Sequence, residues 1–186
     1  MNTRNRALLF LLGTLLCASW SKAQAQQTVP TISSSINGTW SMIENQFISV
    51  ADAMPEEKYS FVPTAGEFKG VRSFAQQVKH VACANYAFFN EIEGKQPPEG
   101  CDHGGPSAAK TKAEIMQYLR ESFKYADGVL TTVNANNALS RVDGPYGGPS
   151  TKLGIAVLAV WHASDHYGQI VEYLRMNGIV PPASRR

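Results

Sequence analysis

Apolar residues recur at Trp40, Ile43, Phe47 and Val50, the alternation of three and four that puts side chains on one face of a helix. The pattern predicts a first helix from Thr39 to about Met54, stopped by Pro55, because proline disfavours the helical conformation in the residue before it. Residues 56–70 contain Pro63, Gly66 and Gly70 and read as a folded loop whose Tyr59 and Phe61 tuck against the rest. A second helix is predicted over 71–93, with Phe74, Val78, Val81 and Phe88 as its apolar stripe and Asn85 as a polar interruption. Residues 94–107 hold Pro97, Pro98, Gly100, Gly104, Gly105 and Pro106 and exclude regular structure. A third helix opens on the capping box Thr111-x-x-Glu114 and carries Ile115, Tyr118, Leu119 and Phe123 to about Thr132. After a polar, glycine-rich segment over 134–150, a fourth runs from about Thr151 to Asn177, where Gly178 and then Pro181 supply the stop. No strand alternation of useful length and no internal repeat is visible. The prediction is an all-α, four-helix bundle with a long crossover between helices 2 and 3, since 94–107 is longer than an antiparallel hairpin needs and can let those helices run the same way.

The first residues follow another rule. Arg4 and Arg6 precede an almost wholly apolar run over 7–20, and Ala23-Gln24-Ala25 fits a cleavage site, so 1–25 reads as a secretory signal peptide. The apolar run is shorter than the roughly 20 residues of a spanning helix. Leu16 stands where a lipoprotein cysteine at Cys17 would want a small residue. The expected organisation is a signal peptide over 1–25, a polar linker over 26–38 and a bundle over 39–186, exported, with the periplasm as destination. Cleavage after Ala25 removes three of the 17 basic residues and none of the 15 acidic ones, so the net charge moves from +2 to −1. The mature chain has no basic stripe, which excludes nucleic acid and anionic membrane as expected partners. A small-molecule substrate is expected instead, with a second copy of the chain as a further candidate partner.

Candidate chemistry lies in the histidines. His162 and His166 are four apart, so on a helix both rings lie on one face and reach one metal ion. Zinc and similar ions take a third protein ligand, leaving an open position in catalytic sites, and His80 on the second helix is the natural candidate. The pair is not the zinc-protease motif, because Ala163 stands where the general-base glutamate would be. Asp165, about 100° round the helix from His166, and Gln169 are candidates to orient a ligand or substrate. His103 falls in the crossover and is expected to be exposed. Trp40 and Trp161 are expected in the core, with Trp161 directed away from the metal face. Cys83 and Cys101 have two open roles, a disulfide in an oxidising compartment or metal ligation by Cys83, which is three residues from His80.

These residues also carry a resemblance. Pro55-Glu56-Glu57-Lys58-Tyr59, Pro63 and Ser73-Phe74-Ala75 followed by His80 resemble the first loop and second helix of the DinB-like metalloenzyme superfamily. His162-x-x-x-His166-Tyr167-Gly168-Gln169-Ile170, with Tyr173-Leu174-Arg175-Met176-Asn177-Gly178 and Pro181-Pro182 after it, resembles its fourth helix and tail. The resemblance implies a four-helix bundle and a divalent ion, zinc or nickel, held by His80, His162 and His166. Relatives include thiol-dependent S-transferases and hydrolases. The expected function is an exported, divalent-metal-dependent hydrolase or thiol S-transferase, the alternative being a non-catalytic metal-binding or stress-related protein. An export leader departs from the usual cytoplasmic members and leaves the substrate open.

Overall fold

Thr31 starts the first helix. Its hydroxyl accepts the Ser34 amide while the Ser34 hydroxyl accepts the Thr31 amide, a reciprocal cap, and α1 then runs Ile32–Ala53 in the computed structural model, which describes residues 29–185. The expected signal peptide over 1–25 lies outside the described residues. The expected linker over 26–38 is corrected from Ile32 onward. Its small polar residues are helical because Ile32 and Ile36 extend the Trp40 stripe backwards one turn at a time and pack against the core. The Ser33 hydroxyl also donates to the Leu130 carbonyl at 3.2 Å, tying this turn to the far end of the third helix.

α1 ends before Pro55, and the chain passes a 3-10 turn at Glu56–Lys58. Tyr59 is buried as expected, its hydroxyl donating to the Ala51 carbonyl at 2.8 Å, and Phe61 packs edge-on against Tyr173. Ser73 and Gln76 make the same reciprocal cap for α2, Phe74–Glu93, whose end is set by Gly94 in the left-handed region at φ 71°. Thr111 and Glu114 cap α3, Lys112–Leu130, as their spacing predicts. α4 spans Lys152–Met176.

Cross-helix pairs fix the directions. Asn85 donates to Ser122 and Asn90 accepts from Tyr125, so numbers rise together along α2 and α3 and the two helices are parallel, with Tyr86 stacked on Tyr118 between them. Ser33 meets Leu130 while Asp52 meets Lys112, and Gln77 meets Gln169 while Phe88 meets His162, which makes α1 antiparallel to α3, and so to its parallel partner α2, and makes α2 antiparallel to α4. The segment after Gly94 is therefore the crossover that a parallel pair requires. The core is the fully buried group Trp40, Phe47, Phe89 and Phe123 at its centre, with Tyr59, Phe74 and Tyr173 forming a second aromatic cluster. Each such ring contributes roughly 1.5–3 kcal/mol by leaving water.

The absence of strands is corrected as well. Between α3 and α4, β1 (Arg141–Asp143) pairs antiparallel with β2 (Pro149–Thr151), closed by a bond from the Gly144 amide to the Gly148 carbonyl. Three-residue strands are too short to show a period of two, and the hairpin is made by its turn, where Gly147 and Gly148 both take positive φ. Among the described residues no helix is long and apolar enough to cross a membrane.

Candidate metal centre

α2 and α4 run past one another with His80 on the first and His162 and His166 on the second, all three buried. Four-residue spacing stacks the two α4 rings, with centroids 4.5 Å apart, and His80 faces both, at 5.1 Å from His162 and 4.7 Å from His166. One nitrogen of each ring lies within 4.8 Å of one nitrogen of each of the others. His80 Nε2 and His162 Nε2 are 3.2 Å apart. The sequence brought forward these three residues, and the fold brings them together.

Ring chemistry fixes what His80 offers. Its Nδ1 lies 2.8 Å from the Cys101 carbonyl oxygen, which can only accept, so Nδ1 carries the proton and Nε2 presents its lone pair to the cluster. Burial holds all three rings in the neutral form that ligates metals. It pushes His162 down to about 3, with His166 and His80 adding to the effect, and His166 down to about 4, with His80 adding and Asp165 opposing. His80 is lowered by burial, against the opposing hydrogen bond that it donates to the Cys101 carbonyl. Nδ1 of His162 and of His166 are buried without a hydrogen-bond partner. Three neutral imidazoles converging in a buried space, one with its tautomer set from outside, form a donor set that fits a divalent ion.

A cavity of about 600 Å³ opens over the cluster. Phe88, Tyr146 and Trp161 give it aromatic walls, and Arg72, Glu91 and Asp165 give it charge. Trp161 is thus a correction. It is 60% exposed at the cavity rim, not in the core, and lines the same cavity as the three histidines instead of being directed away from them, because the residue before His162 on the helix falls at the boundary between the buried face and solvent. Trp40, by contrast, is fully buried. Arg72 donates through Nε to the Asp102 carbonyl at 2.9 Å and through Nη2 to the Asp102 carboxylate at 3.1 Å, which fixes the guanidinium at the cavity edge.

The candidates Asp165 and Gln169 pair with one another, the Gln169 amide donating to Asp165 at 2.8 Å. Gln169 in turn accepts from the buried Gln77 amide at 2.8 Å, so a polar chain crosses from α2 to α4 one turn from the histidines. Gln77 was not among the expected site residues. Its signal was symmetry of spacing, three before His80 as Gln169 is three after His166. Arg72, Tyr146 and Glu91 left no such signal, since loops and helix ends bring them to the cavity. His103 is exposed, outside the cluster, as expected. Cys83 and Cys101 are joined in a disulfide, which settles their two open roles and leaves the cluster to imidazole alone.

The family model of the DinB superfamily matches residues 39–170. Among solved structures, a DinB-like protein from Bacillus cereus ATCC 10987 superposes with a TM-score of 0.67 at 17% identity, covering 82% of this chain and 96% of that one. A DinB-like protein from Bacillus subtilis gives 0.63 at 19% identity, over 82% and 99% of the two chains. A conserved protein from Enterococcus faecalis gives 0.61 at 14% identity, over 77% and 95%. No curated protein sequence matches the chain. At such identities the structural likeness speaks for the fold, and the family match speaks for membership. The chain belongs to the DinB superfamily.

Proposed function

We propose that this member of the DinB superfamily is an exported, divalent-metal-dependent enzyme acting on a small molecule, with hydrolysis favoured over thiol S-transfer. The observation that carries the reading is the convergence of three buried, neutral imidazoles beneath a cavity of substrate size. His80, His162 and His166 would hold the ion, and an all-imidazole set suits zinc or nickel. When bound, such an ion supplies Lewis acidity, which makes water or a thiol nucleophilic at neutral pH.

The chain's own residues then divide the remaining work. Phe88, Tyr146 and Trp161 cover an apolar or aromatic part of the substrate. Arg72, already fixed by Asp102, presents a guanidinium to an anionic or carbonyl group. Asp165 and Glu91 are carboxylates of the lining able to accept a proton. The Cys83–Cys101 bridge supports the export reading, because disulfides persist in oxidising compartments. Export in turn weighs against S-transfer, which draws on thiols that are mainly cytoplasmic.

The zinc- and nickel-loaded protein, offered panels of esters, amides and thiol-conjugation substrates, is expected to turn over one class, and His166→Ala to abolish that turnover. Turnover that persists in the variant removes the ion from the mechanism. Stoichiometric metal binding without turnover on any panel favours the second reading, a non-catalytic metal-binding protein. One feature favours that alternative: Asp165, the carboxylate beside His166 in the sequence, accepts from Gln169 and not from an imidazole.

A further inference from the structure

His80 is the only one of the three clustered histidines whose Nδ1 has a partner among the described residues, and that partner belongs to a loop. The crossover holding Cys101 has no long element to keep it in place. Its 3-10 turn, Cys101–His103, lies between Gly100 and Gly104, both at positive φ. Residue 101 is nevertheless attached to α2 twice. Its carbonyl accepts from His80 Nδ1, and its sulfur is bonded to Cys83, three residues further along the same helix face. The two attachments span a single turn of α2, so the covalent one fixes the placement of the polar one. Gly105 lies so close over the bridge that a Cβ there would stand 2.3 Å from Cys83 Sγ, and Cys83 is fully buried. Within the turn the Cys101 carbonyl also accepts from the Gly104 amide at 3.0 Å, a bond internal to the loop that does not tie it to α2, and the other nearby ties, Arg72 to Asp102 and Lys79 to the carbonyls of Ser107 and Ala109, hold neighbouring residues.

We propose that the Cys83–Cys101 disulfide is a positioning element of the histidine centre: it holds the Cys101 carbonyl against His80 Nδ1, so that loss of the bridge lowers the affinity for a divalent ion. The inference rests on the metal-binding reading for its affinity arm, but its tautomer arm does not. With the bridge intact, His80 keeps its proton on Nδ1 and its Nε2 lone pair toward His162 and His166. Reduction by an added dithiol delivers two electrons and two protons, giving two cysteine thiols while the dithiol becomes a cyclic disulfide. The loop then holds residue 101 only through weak bonds, and His80 samples both tautomers.

The test uses the mature protein and a Cys83→Ala/Cys101→Ser variant, which also prevents a freed thiol from acting as a ligand. Zinc affinity, read by competition with a chromophoric chelator, is expected to fall about 10- to 100-fold in the variant, the range found when a group orienting a ligating histidine is lost. Stoichiometry is expected to stay at one ion per chain. Nitrogen-15 NMR of the metal-free proteins is expected to show His80 as a single Nδ1–H tautomer in the bridged protein and as a mixture in the variant. Equal affinity together with an unchanged tautomer overturns the proposal. If the bridged protein binds no zinc, the metal reading fails, and the tautomer comparison alone decides the positioning role. Should the variant not fold, reduction of the bridged, metal-free protein, followed by the same NMR signal while circular dichroism reports intact helices, gives the same decision.

Discussion

His80 Nε2 and His162 Nε2 stand 3.2 Å apart across the α2–α4 interface, one ring with its proton already committed to the Cys101 carbonyl on the opposite side. Two lone pairs cannot face one another at that separation in a buried space. Either His162 turns a proton toward His80, leaving its own Nδ1 without a partner as observed, or a cation accepts both pairs. Binding a cation therefore relieves a poorly satisfied arrangement as well as adding ligand bonds.

Zinc or nickel is accordingly expected to stabilise the fold. At a free concentration of 100 times Kd the gain is about 2.7 kcal/mol, seen as a rise in Tm. His80→Ala, His162→Ala and His166→Ala are each expected to remove most of that rise. Differential scanning fluorimetry with and without metal checks it, and an equal rise in all three variants would place the ion elsewhere.

Chelator-treated protein is expected to lose stability as pH falls below about 6.5. Burial depresses all three histidines in the folded state, His162 to about 3 and His166 to about 4, while the unfolded chain titrates near 6.5. Between those values the unfolded chain binds protons that the folded one does not, so their contribution is fully present above 6.5 and is lost as pH falls toward 4 and 3. The slope is about 1.4 kcal/mol per pH unit for each of His162 and His166 within that window, and His80 adds in the same direction. Urea unfolding across pH 4–7 measures it, and a flat profile would mean that the rings are not buried neutral.

The buried Asn85–Ser122 pair, 3.1 Å apart between the parallel helices, makes a third case. Ser122→Ala leaves the Asn85 amide group unsatisfied beside an oxygen that already lacks a partner, and is expected to cost about 1–3 kcal/mol. Combining it with Asn85→Leu is expected to recover much of the loss, because no polar atom then stays buried. A double-mutant cycle in urea reads the coupling, and additive losses would argue that the pair does not interact.

The two tryptophans are expected to part company. Trp40→Ala empties the aromatic centre and is expected to cost about 3–5 kcal/mol. Trp161→Ala removes an exposed cavity wall and is expected to change stability by less than about 0.5 kcal/mol while weakening whatever small molecule occupies the cavity. Thermal melts and ligand titrations of both variants separate the roles, and a large Tm loss at Trp161 would return it to the core.

What the chain determined by itself was periodic or local. The apolar stripe through Trp40, Ile43, Phe47 and Val50 called for a helix wherever it met the core, Thr111 and Glu114 marked a helix start, Gly178 marked an end, and His162 and His166 had to share a face, because helical geometry relates residues three and four apart without reference to anything else. The length of the crossover allowed parallel second and third helices, and Asn85 on Ser122 with Asn90 on Tyr125 shows them so. Tertiary structure decided what depends on distance through space between residues distant in sequence. It brought His80 to the α4 pair, closed Cys83 onto Cys101, set Arg72 and Tyr146 over the rings, and put Trp161 at the rim, because one helix position at the edge of an apolar face is buried or exposed according to what the neighbouring loops cover. It also made a helix of residues the polar composition assigned to a linker, since Ile32 and Ile36 gain enough contact with the core to outweigh the weak helical preference of the serines between them.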